Sequence, residues 1–186
     1  LNRFDPEKEI FTRYKHDKNN PASLSNNNLW YVCIDSRGVI WIGSEKGLDK
    51  FDPETKKFVN YQHDKNDPQS LSFNTVTSIH EDQNGMLWVG TFGGGLNVFD
   101  PEKETFTRHQ HDPRNPYSLI NNTVTSIYRD AAGVIWVSSY GGVDRFDPGG
   151  NQFEHYKNTD NTDSLSSNIV RSVYQDDNGA VWVGTE

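Results

Sequence analysis

Apolar and polar residues alternate along this chain in short runs, and no window carries a helical period. From Asn74 to His80, β-branched residues alternate with polar ones and predict a first strand. Asp82-Gln83-Asn84-Gly85 reads as a tight turn, its Gly supplying positive φ. Met86 to Thr91 is apolar enough to be buried on both faces and predicts a second strand. Gly93-Gly94-Gly95 turns the chain again, and Leu96 to Phe99 reads as a third strand, ended by Pro101, which cannot donate to a ladder. Thr105 to His109 alternates as a half-exposed fourth strand, and residues 112–122 cross to the next copy.

This pattern occurs four times. Trp41, Trp88, Trp136 and Trp182 are 47, 48 and 46 residues apart. Phe-Asp-Pro recurs at Phe4, Phe51, Phe99 and Phe146, and Ser-Leu at Ser23, Ser70, Ser118 and Ser164, in the same phase. Four short antiparallel strands in a unit of about 40 to 50 residues is the signature of a propeller blade, which buries both faces only by stacking on neighbours. The expected fold is therefore an all-β propeller of four-stranded antiparallel blades. A β-solenoid usually has shorter repeats with fewer strands. The chain reads as a single domain or propeller fragment over 1–186, with units near 1–27, 28–73, 74–121, 122–167 and 168–186. The first unit supplies strands three and four, and the last supplies strands one and two. Three full blades plus two complementary half-blades make four repeat equivalents. Open half-blades would expose strand edges, so the halves are expected to join, between chains or as an intramolecular clasp, which loop-closure entropy favours. The four Trp are expected at equivalent buried positions, each worth roughly 5 kcal/mol as an upper bound.

Composition narrows the function. The chain has 186 residues, a net charge of −8 and no basic stripe, which argues against nucleic acid as the main partner. No apolar run approaches the roughly 20 residues of a membrane-spanning helix, so no membrane contact by this segment is expected. The opening Leu1, without a Met, reads as a cut from something longer. Cys33 is alone, which excludes an intrachain disulfide and a cysteine-rich zinc site.

The run from Ser70 to Pro101, with Ser-Leu-x-x-Asn-x-Val-x-Ser-Ile, Asp-x-x-Gly-x-Leu-Trp-Val-Gly-Thr and Gly-Gly-Leu-x-x-Phe-Asp-Pro, resembles the two-component regulator propeller repeat. The other copies carry it recognisably. The resemblance implies a bacterial signal-transduction sensor domain, the periplasmic or extracellular part of a hybrid histidine kinase, many of which sense carbohydrates. The half-blades at the two ends make further blades, or a second copy of the chain, the expected partners if the halves do not pair with each other. A less exact likeness, to the streptogramin lyase propeller, implies the alternative of a metal-dependent lyase or glycan-active enzyme. A protein-interaction scaffold is a third reading.

The residues favour binding over catalysis. The chain has no His-Glu-x-x-His, Walker, EF-hand or nucleophile-elbow motif, so no catalytic residue, metal site or cofactor is expected, and the segment reads as no enzyme. His16, His63 and His111, each followed by Asp, sit on outer strands, far apart around a ring. Asp35, Asp82, Asp130 and Asp176 each precede a turn Gly by three residues, where Asp caps backbone N–H groups. The one sequon, Asn121-Asn122-Thr123, reads equally as chance or as a glycosylation acceptor. Function is better sought where the copies differ. After the second strand, equivalent slots hold Glu45, Phe92, Tyr140 and Glu186; within the first, they hold Trp30, Thr77, Thr125 and Arg171. Both slots are expected on the face where the channel opens, and these residue types suit a small polar ligand or glycan.

Overall fold

The computed structural model describes residues 1–147 and 152–186. Pro148, in the fourth Phe-Asp-Pro, lies outside the described residues. The described residues fold into strands without a helix. β1 (Asn2–Asp5) and β2 (Ile10–Arg13) pair as a two-stranded sheet. β3 (Leu29–Ile34), β4 (Ile40–Ser44), β5 (Gly47–Asp52) and β6 (Lys57–Tyr61) form a four-stranded meander. A second meander is β7 (Val76–Glu81), β8 (Leu87–Thr91), β9 (Leu96–Asp100) and β10 (Thr105–His109). A third is β11 (Val124–Arg129), β12 (Ile135–Ser139), β13 (Gly142–Asp147) and β14 (Gln152–Tyr156). β15 (Val170–Gln175) and β16 (Val181–Thr185) form the last pair. All pairings are antiparallel, and successive sheets touch through their first strands, β3 on β7, β7 on β11 and β11 on β15.

Each blade is held by the same local devices. Asp35 accepts from the backbone N–H groups of Arg37 and Val39 through Oδ1, which closes the turn between the first two strands. Its Oδ2 accepts the indole N–H of Trp41 at 3.0 Å, and Asp82, Asp130 and Asp176 bind Trp88, Trp136 and Trp182 in the same way. Burial pushes the Asp35 carboxyl up, but the donations from Trp41, Val39 and Arg37 outweigh it and hold the group below its usual range. The crossover segments shield the outer edges: Phe58, Phe106 and Phe153 donate their N–H groups to the carbonyls of Ala22, Gln69 and Tyr117. An edge strand with paired N–H groups is a poor template for aggregation.

Two expectations need correction. Trp41 and Trp88 are buried, at 0% and 4% exposure, but Trp136 is half-buried and Trp182 is 64% exposed. The cause is the neighbour. Trp41 meets Phe99 on the third strand of the next blade with ring centroids 5.6 Å apart, and Trp88 meets Phe146 at 5.3 Å. Trp136 faces a sheet of only two strands, and Trp182 faces none. The intramolecular clasp is also absent: among the described residues, β1–β2 and β15–β16 remain separate sheets with no pairing across them. The two junctions between complete blades share the same first-strand and Trp–Phe packing, and β1 does not come to lie beside β16.

Candidate functional site

The first strand of each blade carries a β-bulge, between Leu29 and Tyr31, Val76 and Ser78, Val124 and Ser126, and Val170 and Ser172. The extra residue in each is Trp30, Thr77, Thr125 or Arg171, the slots at which the copies differ. A bulge leaves its residue out of the ladder and re-aims the side chain. Thr77 Oγ1 donates to the carbonyl of Val124 at 2.8 Å, and Thr125 Oγ1 to that of Val170 at 2.7 Å, so both hydroxyls tie one blade to the next. Trp30 and Arg171, at the two ends of the series, are exposed.

The slot after the second strand lies beside these bulges. Glu45, Phe92, Tyr140 and Glu186 donate their backbone N–H groups to the carbonyls of Asn28, Thr75, Thr123 and Ile169, at the entries to the first strands. Phe92 also bridges to Thr123 of the next blade. Its ring meets that of Tyr140 edge-on, with centroids 5.9 Å apart. The Arg171 guanidinium lies 5.0 Å from the centre of the Tyr140 ring. Arg171 donates to the Tyr140 hydroxyl at 2.7 Å and to the Glu186 carboxylate. Phe92, Tyr140, Arg171 and Glu186 thus form one row across three blades. Glu45, at the far side, accepts from the Asn28 amide at 2.9 Å.

The recurrent histidines serve the backbone. His16, His63 and His111 use Nδ1 on the carbonyls of Leu24, Leu71 and Leu119 at 2.8 to 2.9 Å, and Asn158 reaches Leu165 in the last copy. Among the described residues no group of three or more His, Cys, Asp or Glu is placed to hold a metal ion.

A buried polar slot on the third strand escaped the sequence reading, although an Asp or Asn directly after Leu or Val in every copy was its signal. Asp49, Asn97 and Asp144 are each 0% exposed and hold the segment that enters their blade. Asp49 accepts from the Ser25 N–H and hydroxyl and from the Asn60 amide. Asn97 accepts from Ser72 N–H and donates to Ser72 Oγ and the Val89 carbonyl. Burial pushes Asp49 from 3.8 up to about 6, against the donations from Ser25 and Asn60. A carboxyl raised on folding contributes stability that is full below its unfolded value of 3.8 and lost as pH rises through about 6. Asp49→Asn, the residue the next blade uses, should therefore gain stability over the parent between pH 5 and 8, on the order of 1–3 kcal/mol at pH 8. Urea unfolding at both pH values checks this; a difference independent of pH counts against it.

The sequence profile described as the two component regulator propeller matches residues 23–46, 70–93, 118–141 and 164–186. Among solved structures, the chain is similar to an extracellular domain assigned to a hybrid two component system of B. thetaiotaomicron. That match has 29% identity and a TM-score of 0.78, and covers 87% of this chain and 22% of that one. A second such domain, assigned to a one component system of the same bacterium, has 20% identity and a TM-score of 0.80, covering 99% and 23%. Virginiamycin B lyase from Staphylococcus aureus shares the fold at 12% identity and a TM-score of 0.68, covering 98% and 55%. This chain thus spans less than a quarter of the two extracellular domains. No curated protein sequence matches it. With the repeat matched in all four copies and the stacked four-stranded sheets in place, the chain is a β-propeller segment that belongs to the two component regulator propeller family.

Proposed function

We propose that this chain is a non-catalytic sensor segment, periplasmic or extracellular, that binds a glycan or similar polar ligand at the row formed by Phe92, Tyr140, Arg171 and Glu186. One observation carries the reading: four of the eight slots that vary between otherwise repetitive copies meet in a single surface row of aromatic and charged side chains. Ring faces suit the apolar faces of sugars, and a paired guanidinium and carboxylate suit hydroxyl groups without demanding a charged ligand. The likeness to extracellular domains of signalling systems supports the location. The likeness to the lyase concerns the fold alone.

Calorimetric titration with a panel of neutral and acidic oligosaccharides tests the proposal. At least one is expected to bind, and Tyr140→Ala or Arg171→Ala to weaken it about tenfold or more, the loss of one aromatic or charge-assisted contact. Binding untouched by both substitutions would move the site elsewhere. Turnover of a glycan by the purified chain would overturn the non-catalytic reading, and retention of a protein partner without glycan binding would favour the scaffold.

A further inference from the structure

In the third full blade, the buried third-strand slot differs from its counterparts. Asp144 has Ile120 where Asp49 has Ser25, so it lacks a hydroxyl donor. It has gained a histidine instead: His155 Nδ1 lies 2.6 Å from Asp144 Oδ1, and His155 Nε2 lies 2.8 Å from the Pro116 carbonyl. The Ile120 N–H is shared between Oδ1 and Oδ2 of Asp144, at 3.2 Å to each.

Ile120 opens the segment that positions the candidate site. Two residues on, the Asn122 carbonyl accepts from the N–H groups of Gly93 and Gly95, which bracket the turn after Phe92. Thr123 bridges to Phe92, and its carbonyl accepts from Tyr140 N–H. One four-residue stretch therefore links a buried carboxyl to the backbone that carries both aromatic residues of the row.

We infer that the Asp144–His155 pair is a proton-sensitive clamp on residues 120–123, so that ligand affinity at the row falls when the medium becomes mildly acidic. The ligand half of this inference rests on the proposed function; the clamp itself does not. His155 donates to the Pro116 carbonyl through Nε2, and one proton lies between Nδ1 and Oδ1. A further proton must go to Oδ2. Oδ2 then becomes a donor, and the Ile120 N–H keeps only its bond to Oδ1, the oxygen that His155 also contacts. The segment loses one of its two bonds to the carboxyl, and its anchor weakens. Burial favours that uptake and pushes Asp144 up to about 6, opposed by the Ile120 N–H and by His155 and Lys157. These two are the ionisable groups that bear on Asp144: Lys157 follows β14, β12 presents Val137 opposite, and the crossover presents only the Ile120 N–H. Arg145 pairs with Glu154.

Amide NMR of the chain between pH 4.5 and 8 tests the clamp without any ligand. The amides of Ile120, Gly93 and Gly95 are expected to titrate together with a midpoint near 6. The titration should vanish in Asp144→Asn, a residue the slot already accepts at Asn97, and persist in Asp49→Asn. Should Asp144→Asn not fold, Ile120→Ser supplies the missing hydroxyl donor and should move the midpoint down. Amides that stay still in the parent, titrate unchanged in Asp144→Asn, or ignore Ile120→Ser would overturn the clamp. With a glycan that binds at pH 7.5, affinity should fall about 2- to 10-fold at pH 5, the scale of one lost hydrogen bond, and not in Asp144→Asn. If the amides titrate and no glycan binds, the clamp stands and the ligand reading fails.

Discussion

Trp41→Ala is expected to destabilise the chain by about 3–5 kcal/mol, while Trp182→Ala costs less than about 1 kcal/mol, although the two tryptophans occupy the same slot of the repeat. Trp41 is fully buried and packs between Phe99 and Tyr61, with centroids at 5.6 and 6.2 Å. Its removal opens a cavity between two blades and takes the indole donor from Asp35, itself buried. Trp182 has the same indole bond to Asp176, yet its ring stands in solvent. Urea unfolding followed by far-UV circular dichroism separates the two, since that signal does not depend on the deleted fluorophore. Equal losses would mean that each blade holds its Trp by itself, and that the neighbouring blade contributes nothing.

Gly47→Ala is expected to cost about 3 kcal/mol or more, and Gly38→Ala only about 1–2 kcal/mol. Both glycines have positive φ, +118° at Gly47 and +81° at Gly38, so either alanine is strained. They differ in what a methyl group would meet. At Gly47 it would lie 2.2 Å from the Tyr61 carbonyl oxygen, a backbone atom at the end of the fourth strand, whereas at Gly38 nothing lies within 4 Å. Gly95 and Gly142 meet the carbonyls of His109 and Tyr156 in the same way, at 2.4 and 2.3 Å, so the close approach belongs to the blade design. Thermal melts of the paired variants check this. A Gly47→Ala chain as stable as Gly38→Ala would show that β5 and β6 can part at that end without loss.

The proposed site lies where the repeat is free to vary. The bulge residue and the residue after the second strand are held by backbone geometry common to every blade, so their side chains are free to vary without disturbing the sheet. In the middle blades threonine uses that freedom to join neighbours; at Phe92, Tyr140, Arg171 and Glu186 it builds a surface instead.

Strand and turn chemistry is local, and it was legible from the residues alone. The alternation from Asn74 to His109 predicted β7 through β10 to within two residues at each end. The Asp-to-Gly spacing predicted the turn caps, because an Asp side chain reaches only N–H groups a few residues away. The eight variable positions could also be marked by comparing the copies. Tertiary structure decided what those positions do. It placed Thr77 and Thr125 against carbonyls 47 and 45 residues away and gathered four of the others into one row. It left Trp182 in water where Trp41 is buried, because burial is conferred by the next sheet and identical motifs cannot report whether that sheet is present. The Asp144–His155 contact was hidden for a related reason: its partners are opposite each other only through the register of β13 on β14, and the anchor at Ile120 lies 24 residues away in the chain.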